Sequence, residues 1–167
     1  DFPAPIALKE LACKYIMGDK TQYPVTFGEY ELRSAIAKKY KDTYDLNYDP
    51  DENITVTCGA TEAMLASLMA ILNPGDEVIL FEPFYENYWP DTVISGAIPR
   101  FITLHQPDWH FDNEELASAF NNKTKAIIIN TPNNPTGKVF TREEFDCVAK
   151  LCNKYDVIAI TDEIYEH

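Results

Sequence analysis

Four short segments hold the side chains that could do chemistry. Cys58-Gly59-Ala60-Thr61-Glu62-Ala63 joins a β-branched run to one rich in Ala, Met and Leu. A strand-to-helix junction of that kind presents backbone N–H groups at the positive end of a helix dipole. Gly59 admits close approach to the main chain and Thr61 adds a hydroxyl, so Gly59, Ala60 and Thr61 suit an anion such as phosphate, although the same residues also read as a plain N-cap. Pro83-Phe84-Tyr85-Glu86-Asn87-Tyr88 places aromatic rings after an apolar run. There Tyr85, or Phe84, could stack on a flat heterocycle or simply cover the edge of a core. In Asn130-Thr131-Pro132-Asn133-Asn134-Pro135-Thr136-Gly137 the prolines and turn residues stiffen a loop, as is needed when one side chain, Asn134, must be aimed. Last, Asp162 closes an apolar run, where a carboxylate is costly unless a cation accompanies it, and Tyr165 follows three residues later. An isolated aspartate there also serves as a turn or cap residue.

The elements that must position these residues follow from periodicity. Residues 5–17 and 29–44 carry apolar side chains at three and four spacing and predict two helices, joined by the polar stretch Asp19 to Pro24. Beyond the acidic turn around Asp49-Pro50-Asp51 the pattern alternates. Runs at 53–58, 77–81, 98–104, 125–129 and 156–161 predict five short strands, and helices are predicted between them. Two helix starts have a physical signature, Asp112 with Glu115 and Thr141 with Glu144, each a capping residue followed at the third position by Glu. The alternation predicts a three-layer α/β/α fold with a mainly parallel sheet and right-handed crossovers, residues 1–46 forming a helical segment and 47–167 the sheet-containing domain. Ligands of such sheets sit at the carboxyl ends of the strands, where all four segments fall. Phosphate cradle, stacking ring, amide donor and carboxylate together match a phosphorylated cationic heterocycle, and pyridoxal phosphate fits that description.

Composition narrows the classes. With 27 acidic against 14 basic residues the chain carries a net charge of −13, which argues against nucleic-acid binding, since phosphate backbones require a cationic surface. No apolar run reaches the ~20 residues of a membrane-spanning helix. Cys13, Cys58, Cys147 and Cys152 have no C-x-x-C spacing and suit buried thiols in a reducing cytoplasmic setting. His105 and His110 flank a loop without the further ligands a metal needs, so no metal site is expected and surface histidines are. His167 is expected to make local packing or hydrogen-bond contacts. The lack of an initiator Met and the stop just after an apolar strand raise the expectation of a piece of a longer protein.

The segments GATEA, NPGDEVI, PNNPTGKVF and DEIYEH resemble the pyridoxal-phosphate-dependent aminotransferases of fold type I, class I/II, over nearly the whole chain. Gln22-Tyr23-Pro24-Val25-Thr26-Phe27-Gly28 is similar to the branch containing kynurenine and methionine aminotransferases. PNNPTG and DEIY, in this order and spacing, are the specific motifs; GATEA alone is not. The resemblance implies that Gly59, Ala60 and Thr61 hold the cofactor phosphate and Tyr85 stacks on its ring. It further implies that Asn134 and Tyr165 donate to the phenolic oxygen, that Asp162 pairs with the ring nitrogen, and that Tyr23 reaches the phosphate of a neighbouring subunit in a homodimer. Substrates would be an α-amino acid and a 2-oxo acid. The family's Schiff-base lysine and the arginine that clamps the substrate carboxylate lie beyond DEIY, and Lys138 is not at that lysine's position. No catalytic residue is therefore assigned, and the 167 residues alone are expected to be inactive. A β-lyase or ring-forming synthase of the same fold, or an aminotransferase-like sensor domain, would share these cofactor contacts.

Overall fold

In the computed structural model, residues 2–18 and 22–166 are described. His167 and residues 19–21 of the first connection lie outside them. Two compact units emerge, Asp1–Thr57 and Cys58–His167.

The first unit holds α1 (Ile6–Met17) and α2 (Tyr30–Tyr44). Arg33, buried on α2, gathers the segments around it: its Nε donates to the Gly28 carbonyl (2.9 Å), and its Nη1 donates to the Pro50 carbonyl and to Asp51 Oδ1, the last at 2.8 Å. Gly28 sits at φ +94°, and a Cβ there would come within 2.7 Å of the Val56 side chain, so both backbone angle and space demand glycine. The strand expected at 53–58 does not form. Residues 54–57 are irregular, Val56 gives its N–H to the Phe27 carbonyl (3.0 Å), and the segment joins no strand of the sheet. β-branched composition favours an extended chain, but a strand exists only where a partner completes the ladder. These same contacts tie Pro50, Asp51 and Val56 to α2 and the segment before it, and the units divide at 57/58 where sequence suggested 46/47.

The second unit is a four-stranded, fully parallel sheet in the order β2-β1-β3-β4, with β1 at Glu77–Glu82, β2 at Ile98–Thr103, β3 at Thr124–Asn130 and β4 at Ile158–Asp162. Between them run α3 (Gly59–Ile71, preceding β1), α4 (Tyr88–Ile94), α5 (Asn113–Ala119) and α6 (Arg142–Tyr155). The period-2 geometry of a strand sends alternate residues to opposite layers. On one face Ile79, Phe81, Ile127 and Ile129 pack with Leu116, Phe120, Val148 and Cys152 of the α5 and α6 regions. On the other, Val78, Leu80, Ala126 and Ile128 pack with Met64 and Leu68 of α3 and Tyr88 of α4. Both central strands are thus apolar on both faces, as a sheet covered by helices on each side requires.

Both capping signatures read from sequence start helices. Asp112 accepts from the Glu114 and Glu115 N–H groups, and Thr141 with Glu144 forms a reciprocal capping box. Pro90 does not end α4; it is the third residue of the helix, in the first turn where N–H groups have no intrahelical partner. Of the four thiols, all free, Cys152 is buried and Cys147 half-buried, whereas Cys13 and Cys58 are exposed rather than buried as expected. Apolar neighbours in sequence do not bury a thiol unless its helix face meets the core. His105 and His110 are exposed and face one another across an antiparallel bridge, and His110 Nδ1 lies 2.8 Å from the Asp108 carboxylate.

Asp91 on α4 is only 8% exposed, and its Oδ2 has no hydrogen-bond partner. Burial raises its carboxyl above the ordinary range. The native state therefore holds this proton more tightly than the unfolded state, so the stability lost to Asp91 appears as pH rises through its raised native value. Asp91→Asn is expected to melt with the wild type in acid and above it at pH 7, as calorimetry at the two pH values will check.

Candidate functional site

The chain steps from β1 outward to β2 and from β3 outward to β4 in the opposite direction, so the order reverses between β1 and β3. Parallel sheets open a crevice at the carboxyl ends of strands at such a point. A pocket of about 200 Å³ lies there, lined by the first turn of α3, the segment after β1, the loop after β3 and the end of β4. Six of the eight residues singled out from sequence, Ala60, Thr61, Tyr85, Asn134, Asp162 and Tyr165, line it together. Gly59 opens α3 beside them without lining the pocket. Tyr23 belongs to the other unit, is fully exposed and is not part of the lining.

Each wall has a local cause. α3 starts without a side-chain cap from Cys58, and Glu62 accepts from the Cys58 N–H; Gly59, at φ +79°, has nothing within 4 Å of the place a Cβ would occupy. Without a Cβ there, Gly59 leaves room beside the main chain at the helix's positive end. After β1, Phe84 leaves the pocket and stacks on Phe101 of β2 (5.7 Å, 10° between planes), while Tyr85 stays in the lining. The loop after β3 is held from inside. Buried Asn133 accepts from the Thr136 hydroxyl (2.8 Å) and exchanges backbone bonds with Gly137 and Lys138. Lys138 is itself buried, bonded to Glu144 at 2.7 Å over the Phe140 ring, and lies outside the pocket.

Two residues that sequence reasoning did not assign organise this site. Asn130, buried at the end of β3, donates from Nδ2 to the Asp162 carbonyl (3.0 Å) and accepts on Oδ1 from the Asn134 N–H (2.7 Å). One amide thus joins the strand end carrying Asp162 to the turn carrying Asn134. Tyr88 donates its phenol to Asp162 Oδ2 (2.7 Å), and Asp162 Oδ1 accepts from the Ile164 N–H (3.2 Å). Burial, with the Asp162 carboxylate acting second, pushes the Tyr88 phenol far above its ordinary range, so it stays a donor. A Tyr three residues after Tyr85 and an Asn closing an apolar strand were the only available signals, and each is common in a core.

Among the described residues Asp162 is the sole carboxylate lining the pocket, and the groups around it are amides, phenols and the first turn of α3. Such a set suits a ligand anionic at one end and cationic at the other. Among the described residues no group of three or more His, Cys, Asp or Glu could hold a metal ion, and no helix is long and apolar enough to cross a membrane.

Residues 2–167 match the family model for aminotransferase class I and II. Human kynurenine--oxoglutarate transaminase 3 is 42% identical over 177 aligned positions, covering 99% of this chain and 39% of that protein. Methionine aminotransferase of Escherichia coli is 36% identical, with 100% and 43% covered. Among solved structures, an Escherichia coli protein with methionine aminotransferase function superposes at a TM-score of 0.96 and 36% identity, covering 100% of this chain and 44% of that one. N-succinyldiaminopimelate aminotransferase from Mycobacterium tuberculosis does so at 0.94 and 37%, with 100% and 44% covered. The chain thus spans about two-fifths of the length of the relatives it matches.

Proposed function

Because the chain belongs to the aminotransferase class I and II family, we propose that the complete protein moves an amino group between an α-amino acid and a 2-oxo acid using pyridoxal phosphate, and that this chain supplies most of the cofactor's cradle. The observation that carries the reading is the convergence of one carboxylate, one half-buried tyrosine ring and the first turn of a helix on a single pocket. The donor set fits the cofactor. Gly59, Ala60 and Thr61 would hold the phosphate, Tyr85 would cover the ring face, and Asn134 and Tyr165 would donate to the phenolic oxygen. Asp162 would pair with the ring nitrogen. When bound, the cofactor supplies an electron sink for the substrate's α-carbon. Asp162 keeps a proton on the ring nitrogen by opposing its positive charge, an interaction strengthened by partial exclusion of water. Asn134 and Tyr165 would orient the ring, and Tyr85 would shield it on one side.

Homodimer formation belongs to the same proposal. Tyr23 is fully exposed, and α1 buries none of its side chains in this chain, with Ile6, Leu8, Leu11 and Ile16 all exposed. An apolar helix of that kind is covered in a stable assembly. A cytoplasmic location is the corresponding proposal for a protein with four free thiols.

Kynurenine and methionine, which appear in the names of relatives, are the first amino donors to assay, with 2-oxoglutarate as acceptor. The complete protein with pyridoxal phosphate is expected to form glutamate in step with the donor's oxo acid. Release of pyruvate and ammonia from a sulfur-containing amino acid without exchange would replace the reading with a lyase, and no turnover of any amino acid would remove it.

A further inference from the structure

We propose that Tyr88 is a positioning residue that holds the Asp162 carboxylate and the Tyr85 ring in one fixed arrangement, so that the pocket is pre-set for its heterocycle before binding. The inference rests on the functional reading above and extends it to a residue outside the cofactor contacts already assigned. Tyr88 is 3% exposed and packs in the α3/α4 layer with Met64 and Leu68. Phenylalanine would fill that space without a hydroxyl to satisfy, so the phenol oxygen needs a reason of its own. It is aimed across the pocket at Asp162, 74 positions away in sequence.

The same residue governs the ring wall. Its N–H donates to the Tyr85 carbonyl (3.1 Å), and the two aromatic rings meet edge to face at 5.7 Å and 74°. Its own carbonyl accepts from the fully buried Thr92 hydroxyl (2.7 Å), which fixes the first turn of α4 beneath it. With Tyr88 on Oδ2 and the Ile164 N–H on Oδ1, the carboxylate is held at both oxygens and cannot rotate freely about its last torsion. The lone pairs that remain are those offered to the pocket. Fixing the carboxylate in advance removes an ordering cost from binding.

The test compares wild type, Tyr88→Phe, Asp162→Ala and the double variant in the complete protein. Affinity of the cofactor-free protein for pyridoxal phosphate is read by fluorescence quenching, with kcat and KM for the amino donor alongside. Tyr88→Phe is expected to weaken cofactor binding about tenfold and to lower kcat with KM nearly unchanged, as loss of one hydrogen bond to a charged group predicts. In the Asp162→Ala background the same change is expected to have less than about a twofold effect, because Tyr88 acts through that carboxylate. Equal losses in both backgrounds would assign Tyr88 to packing alone and overturn the proposal. So would a Tyr88→Phe protein that binds and turns over like wild type. Failure of the wild type itself to bind pyridoxal phosphate would instead strike the functional reading, and this proposal with it.

Discussion

Replacing Asp162 by Asn in the complete protein is expected to lower kcat/KM for amino transfer by on the order of 10²–10³, the scale seen when one preorganised electrostatic group is removed from an active site. Asparagine has nearly the same shape, and its amide oxygen can still accept from the Tyr88 phenol; the Ile164 N–H loses its acceptor, but that bond is exposed and water can replace it, so the fold is kept while the charge is lost. That separates the variant from Asp162→Ala, which also strands a buried hydroxyl at a further cost of about 1–3 kcal/mol. The result should be visible without turnover as well: Asp162→Asn is expected to melt close to wild type in the cofactor-free form and to gain less from added pyridoxal phosphate. Among the described residues Asp162 is the only carboxylate lining the pocket, so none of them there can take over its charge. Wild-type kinetics in Asp162→Asn would mean that the cationic end of the ligand lies elsewhere.

Asn130→Ala is expected to destabilise the fold by about 2–4 kcal/mol. It leaves the Asn134 N–H without its acceptor and the Asp162 carbonyl without its better donor, and each buried unsatisfied group costs about 1–3 kcal/mol. The Thr131 N–H, at 3.4 Å from the same carbonyl, recovers little. A lower urea midpoint with an unchanged m-value is the predicted signature. Asn130→Asp discriminates further, since it keeps the acceptor for Asn134 but loses the donor to Asp162 and adds a buried charge. It should be no better than Ala in stability. If both variants unfold with the wild type, Asn130 is not the link between the two loops.

Sequence alone determined those parts of the protein that depend on neighbours along the chain. Short, largely apolar runs marked β1 and β3 as strands, and Thr141 with Glu144 marked the start of α6, because strand-forming composition and helix capping are read within a few residues. Parallel connectivity then required the strand ends to share an edge, which brings the candidates Tyr85, Asn134, Asp162 and Tyr165 to one pocket, where Ala60 and Thr61 at the start of α3 join them. Tertiary structure decided what depends on distant partners. The β-branched stretch at 53–58 reads as a strand and is not one, since its ladder partner is a matter of topology. Tyr88 reads as one more core aromatic, and only the fold brings its hydroxyl to Asp162; Asn130 reads as the start of a turn, and only the fold shows its amide bonding to both loops at once. Hydrogen-bond donors of this kind carry no local pattern: their energy comes from a group placed by a different element, and no window of sequence contains both ends.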